Sequence, residues 1–259
     1  MVAKTPASPA FSRLVTLREQ PLAYPKSLVE LAYEQLLSML VTMKIAPGAH
    51  IGIEALSRDL QISPTPIREA LTLLEAQKLA YKIPNVGFRA AELLTRPEID
   101  DLFEMRLLIE PQAAAFAALR SNQQSFDALT TLSEQMARIA GGDETDYAQF
   151  AEGDARLHHL VASASGNRFI AQTIEGLHVH LHIFRFLFRT NAPERALQEH
   201  AAIVSALLAR DPDAAEAAMR THLEASRQRM ATALDHRDEA LPNPASAPPR
   251  RIDTGDSYA

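Results

Sequence analysis

The sequence contains no cysteine. That excludes disulfides, thiolate nucleophiles and sulfur-ligated metal centres, so any bound metal would depend on imidazole and carboxylate. No apolar run approaches membrane-spanning length, and residues 1–26 lack the continuous apolar segment of a secretory signal. A cytoplasmic chain with no membrane partner is expected. Positive charge is also short: the net charge is −6, which at first disfavours a nucleic-acid partner. The deficit is uneven, however. Residues 1–92 carry ten Lys/Arg against eight Asp/Glu, whereas residues 93–236 carry thirteen against twenty. A slightly basic N-terminal part ahead of an acidic body leaves nucleic-acid contact open for the first part only.

Apolar residues make up 47% of the 259 positions, enough for one large domain or two modest ones. Residues 1–26, with Pro, Ser and scattered charges, are expected to be a flexible arm. Leu28, Leu31, Leu36, Met39, Leu40 and Met43 predict an amphipathic helix that Pro47-Gly48 stops. Ile51-Gly52-Ile53 suggests a short strand. Leu56 to Ile62 reads as a short helix, and Ser63-Pro64-Thr65-Pro66-Ile67-Arg68-Glu69-Ala70-Leu71 opens another. Both prolines fall in its first turn, where a missing N–H has no intrahelical partner to lose. Thr65 and Arg68 then stand at an exposed helix N-terminus, the part of a helix-turn-helix that reaches base edges. Tyr81 to Ala90 reads as two short strands around a tight turn. Together these predict a winged helix-turn-helix over residues 27–95.

Thr95-Arg96-Pro97-Glu98 has capping-box spacing and marks a new helical domain over residues 96–236. Breaks at Gly141-Gly142-Asp143, Ser165-Gly166-Asn167, Asn191-Ala192-Pro193-Glu194 and Asp211-Pro212 divide it into about six helices, an antiparallel bundle. Residues 237–259, rich in proline, are expected to be a disordered tail. The predicted class is therefore mainly α, with a small β-wing.

Several polar residues fall on the apolar stripes of the bundle. Asp154 and His158 share a face with Phe150, Leu157 and Val161; His200 lies with Ala196, Ile203, Val204 and Leu207; His222 lies with Ala215, Ala218, Met219 and Met230. A divalent metal would satisfy all four, and Asp154 and His158 are an i,i+4 pair able to chelate from one helix face. Core histidines satisfied by neighbours are the alternative. His178 lies near a stripe with Ile170, Ile174, Leu177 and Leu181, and could line the same cavity. Arg106 lies on a buried face beside Ile99 and Phe103; it either pairs with Glu110 one turn on or grips a carboxylate ligand. No buried Asp or Glu beyond Asp154 is evident on the histidine stripes. A metal-dependent hydrolase acting on a small acid, the alternative function, would need such a general base.

Residues 27–92 resemble the winged-helix domain of the GntR family of bacterial regulators, with residues 63–71 matching its recognition-helix signature. Residues beyond resemble the FCD ligand-binding domain of the FadR branch. Asp154-Ala155-Arg156-Leu157-His158 followed by Ala164-Ser165-Gly166-Asn167, then Glu199-His200-Ala201-Ala202-Ile203 and Met219-Arg220-Thr221-His222-Leu223, are similar to its ligand run. The resemblance implies a homodimeric transcription factor, not an enzyme, that binds a short double-stranded palindrome and responds to a small organic or sugar acid. It implies a repressor whose metal ligands are Asp154, His158, His200 and His222, holding zinc or alternatively nickel or manganese. Arg106 and His178 would face the effector. Arg68 would read bases, with Arg58, Ser63, Thr65, Lys82 and Arg89 on phosphates and Asn85 and Gly87 in the wing turn. Pro64 and Val86 stand where the family often has basic residues, which should flatten the salt dependence of binding.

Overall fold

The computed structural model describes residues 26–240. The expected arm, apart from Lys26, and residues 241–259 of the expected tail lie outside that range. The expected tail boundary is corrected in one respect, because the last helix continues through Ala240.

Helix α1 (Leu28–Val41) starts at a capping box in which Ser27 and Glu30 satisfy each other's backbone N–H. Its buried residues are Ala32, Leu36, Leu37, Ser38, Leu40 and Val41, while Leu28, Leu31 and Met43 are exposed. The buried face is thus wider than the expected stripe, because α1 packs on three other helices. Strand β1 is His50–Ile51, and Ile53 begins α2 (Ile53–Leu60) instead of extending the strand, because Gly52 serves as its N-cap. Gln61, in the left-handed region at φ 55°, ends α2. Helix α3 (Pro64–Ala76) follows with Ser63 as N-cap and both prolines in its first turn. Strands β2 (Ala80–Ile83) and β3 (Gly87–Ala90) form the wing, and the antiparallel sheet runs β1-β3-β2. At the wing turn Asn85 has φ 61° and Gly87 φ 114°, so the chain reverses on residue types that tolerate positive φ.

The second domain comprises α4 (Arg96–Arg120), α5 (Gln123–Ile139), α6 (Glu144–Ala164), α7 (Arg168–Leu177), α8 (Val179–Phe186), α9 (Ala192–Leu208) and α10 (Pro212–Ala240). Seven helices stand where about six were expected among the described residues. The extra one arises at His178, whose φ of 50° ends α7 and restarts the chain as α8. Thr95 and Glu98 form the expected capping box. Helix α6 is central, touching α4, α5, α7, α8 and α9 as well as α1 of the first domain. Gly153 lets α5 approach it closely, since a Cβ there would lie 2.8 Å from Met136 Cγ. One apolar core runs through both domains, from Leu36 and Leu74 to Phe150, Leu157 and Met219.

Candidate DNA-reading surface and buried histidine cluster

Arg58, Ser63, Thr65, Arg68, Lys82 and Asn85 are all exposed on the winged-helix domain. Arg68 lies 3.8 Å from Glu54 Oε1, with both side chains more than half in solvent. Such a loose surface pair is worth little and leaves the guanidinium available. Arg89 differs: it is half-buried and its Nη1 donates to the Gly48 carbonyl at 2.7 Å, bracing the loop before β1. Val86 is exposed at the wing tip and Pro64 sits at the first position of α3.

The bundle brings Asp154, His158, His200 and His222 together. One ligand atom from each lies within 4.8 Å of the others, and all four residues are buried. α6 supplies the first two because i and i+4 share a face; α9 and α10 supply one histidine each.

Three hydrogen bonds orient this cluster. His158 Nδ1 donates to Glu110, which also accepts from Arg106 Nε at 2.5 Å. His222 Nδ1 donates to Glu199 Oε2 at 2.8 Å, and Arg229 grips the same carboxylate with two contacts. His180 Nδ1 lies 2.7 Å from Asp154 Oδ2. Burial opposes ionisation of Glu110 and Asp154. Arg106 and His158 nevertheless hold Glu110 below the usual carboxylate range, and His180 and His200 hold Asp154 well below it. Burial lowers two of the imidazoles, His158 to about 4 and His222 to about 3.

With each Nδ1–H committed to a carboxylate and each ring neutral, His158 and His222 present bare Nε2 lone pairs, and these face each other at 3.1 Å. His200 has no hydrogen-bond partner on either ring nitrogen; its Nε2 is 3.2 Å from Asp154 Oδ1, outside hydrogen-bond geometry. Converging lone pairs and an unsatisfied buried imidazole are unfavourable alone. They fit a shared cation, and imidazole with carboxylate is a donor set suited to zinc.

The model of the gntR family of bacterial regulatory proteins matches residues 28–89, and the FCD domain model matches residues 101–225. The chain belongs to the GntR family. It carries the FCD domain found in the family's FadR-like branch, and it is a bacterial transcriptional regulator. Relatives include the HTH-type transcriptional regulator BphR of Paraburkholderia xenovorans, 26% identical with 80% of this chain and 86% of BphR covered. The HTH-type transcriptional repressor NanR of Citrobacter rodentium is 28% identical, covering 80% of this chain and 86% of NanR. The fold is shared with E. coli McbR/YncC at a TM-score of 0.58 and 21% identity, over 82% of this chain and all of that one. No described helix of this GntR regulator is long and apolar enough to cross a membrane.

The structure adds residues to the site that periodicity had not. His178, which could line the cluster's cavity or simply pack, is half-buried beside a separate cavity. Its left-handed backbone resets the helical phase, so His180 points at Asp154 in its place. Glu110 is a further buried carboxylate at the cluster, contributed by α4 and not by a histidine-bearing stripe. It is committed to Arg106 and His158, however, and so is not a free general base. The Arg106–Glu110 spacing was readable as i,i+4; the Glu110–His158 and Glu199–His222 bonds span distant helices and left no local signal. Beyond His180, α8 also carries His182 against the Lys78 main chain, and Arg185. Arg185 is fully buried and donates to the Ala91 and Glu92 carbonyls at 2.7 and 3.3 Å, in the segment joining the two domains.

Proposed function

We propose that this GntR regulator is a homodimeric repressor that reads a short palindrome through Arg68 and is modulated by a small organic or sugar acid beside a divalent ion. The observation that carries the metal reading is the facing Nε2 pair of His158 and His222, with His200 unsatisfied next to them. Asp154, His158, His200 and His222 would hold the ion, zinc by donor type, with nickel or manganese as alternatives. When bound, the ion supplies a Lewis-acidic position for water or an effector carboxylate. The repressor role rests on the named role of the NanR relatives.

The chain's own residues suggest how binding reaches DNA. Arg106, Arg229 and Ser226 meet Asp154 and His222 at an internal void of about 10 Å³, room for about one water. An organic acid drawn there by the two guanidiniums must displace part of the wall. Ile183, Phe184 and Leu187, on α8 and just after it, form that wall. The same helix holds the interdomain carbonyls through Arg185. Effector entry would therefore shift the placement of the winged helices by population shift.

Operator sequences selected from a random duplex library provide the test. Arg68→Ala is expected to weaken specific binding at fixed salt by about 1–3 kcal/mol. Unchanged discrimination between selected and scrambled duplexes would overturn the role of Arg68. Operator affinity indifferent to zinc, to chelator and to a panel of organic and sugar acids would overturn the sensor reading.

A further inference from the structure

A cavity of about 800 Å³ opens between the end of α3 and helices α5, α6 and α7, apart from the small void beside the histidine cluster. Protein interiors are otherwise close-packed, and this volume lies within the range of small-molecule pockets. Leu132, Met136 and Ile139 of α5, Ile174 of α7 and Leu181 of α8 give it an apolar wall. His180 belongs to that wall while its Nδ1 is bonded to Asp154, so the ring stands between the cavity and the cluster.

The polar lining pairs two arginines with two carboxylates, and the arginines are largely uncommitted. Arg156 makes no hydrogen bond or ion pair with any described residue, whereas Asp154 and His158 on the same helix are bonded to His180 and Glu110. Arg138 spends only its Nε, on the Glu134 carbonyl. His159 Nδ1 is buried without a partner. Two carboxylates share the lining. Glu152 is engaged by Tyr33, whose hydroxyl is 2.6 Å away, and burial pushes its carboxyl up, towards the neutral form. Glu175 is exposed, as are Arg138 and Arg156, so water screens all three. His178, strained at positive φ, lies at the same rim.

We infer that this interdomain cavity is a second ligand site, for an amphipathic organic anion with a ring or short acyl body against the α5–α7 wall and its acid group between Arg138 and Arg156. It is separate from the metal-linked pocket and needs no metal. It also touches the DNA-binding domain, because Gln77, the C-cap of α3, lines it and lies 3.0 Å from the Tyr33 hydroxyl. An occupant would therefore contact the recognition helix at its far end from Arg68.

The probe is 1-anilinonaphthalene-8-sulfonate, an aromatic ring system with one anionic group, titrated into the full chain and followed by its fluorescence. One saturable site per chain is expected, with affinity unchanged by excess chelator. Ala155→Trp, which fills the cavity, is expected to lower affinity at least tenfold, and Arg156→Glu several-fold. Circular dichroism and light scattering of each variant accompany the titration. Equal affinity in wild type and Arg156→Glu would overturn the proposal, even if Ala155→Trp failed to fold. Loss of binding on chelation would place the probe at the histidine cluster and equally overturn it. So would dissociation of a dimer by Ala155→Trp, since the cavity mouth would then be covered by a second copy.

Discussion

Glu199→Gln tests whether the carboxylates around the histidines are there for an ion. Glu199 accepts from His222 Nδ1 at 2.8 Å and from Arg229 at 2.5 and 2.9 Å, and those partners hold its carboxyl down to about 2 against its partial burial. The amide keeps the shape and one acceptor but removes the charge that orients and enriches the imidazole. Loss of such a supporting carboxylate typically lowers metal affinity about 10- to 100-fold, equivalent to about 1.4–2.7 kcal/mol. With free zinc buffered at about a hundred times the wild-type Kd, the wild type gains about 2.7 kcal/mol of stability. At about 2–4 °C per kcal/mol, its Tm should rise by about 5–11 °C. At the same free zinc the variant gains only about 0.4–1.4 kcal/mol, a rise of about 1–6 °C. Melts followed by circular dichroism, each compared with the same protein in chelator, isolate this linkage from the direct effect of the substitution. Equal zinc-induced shifts in the two proteins would refute the role of Glu199. No shift in either would refute metal binding itself.

Glu110→Gln leaves the buried Arg106 guanidinium without its counter-charge, and is expected to cost about 3–5 kcal/mol in urea unfolding. A loss under about 1 kcal/mol would mean that the buried pair is not maintained in solution. Burial and then Arg185 push His182 down to about 4, so the unfolded chain takes up this proton first as pH falls. Its contribution is complete above about pH 6.5 and is lost as pH falls to about 4, amounting to about 3 kcal/mol. His182→Gln should flatten the stability profile across that window, and an unchanged slope would show that His182 is not buried neutral. Arg185→Lys keeps the charge but loses the two-pronged grip on the Ala91 and Glu92 carbonyls. It is expected to leave zinc affinity unchanged while reducing the response of operator binding to zinc, measured by fluorescence anisotropy. A full response would remove α8 from the coupling route.

The winged helix and the four clustered residues were legible because their signals are local. Two prolines in the first turn of α3, the Thr95–Glu98 capping box and the Asp154–His158 spacing each act within one or two helical turns. Helical periodicity then put His200 and His222 on inward faces without saying what they met. Periodicity failed where a backbone irregularity reset the phase. His178 in the left-handed region moved His180 to Asp154, and the three neighbours of α1 widened its buried face. Which carboxylate supports which histidine was also out of reach, since 48 residues separate Glu110 from His158 and 23 separate Glu199 from His222.

From its sequence alone this chain is determined to be an all-imidazole-and-carboxylate candidate metal protein with a proline-opened recognition helix, because residue type and short-range spacing specify both. Only the tertiary structure decided that Nε2 of His158 and His222 meet with bare lone pairs, that α8 touches both the cluster and the interdomain segment, and that a cavity remains beside α3. Those features depend on how separate helices pack against α6, and no local interaction along the chain encodes that packing.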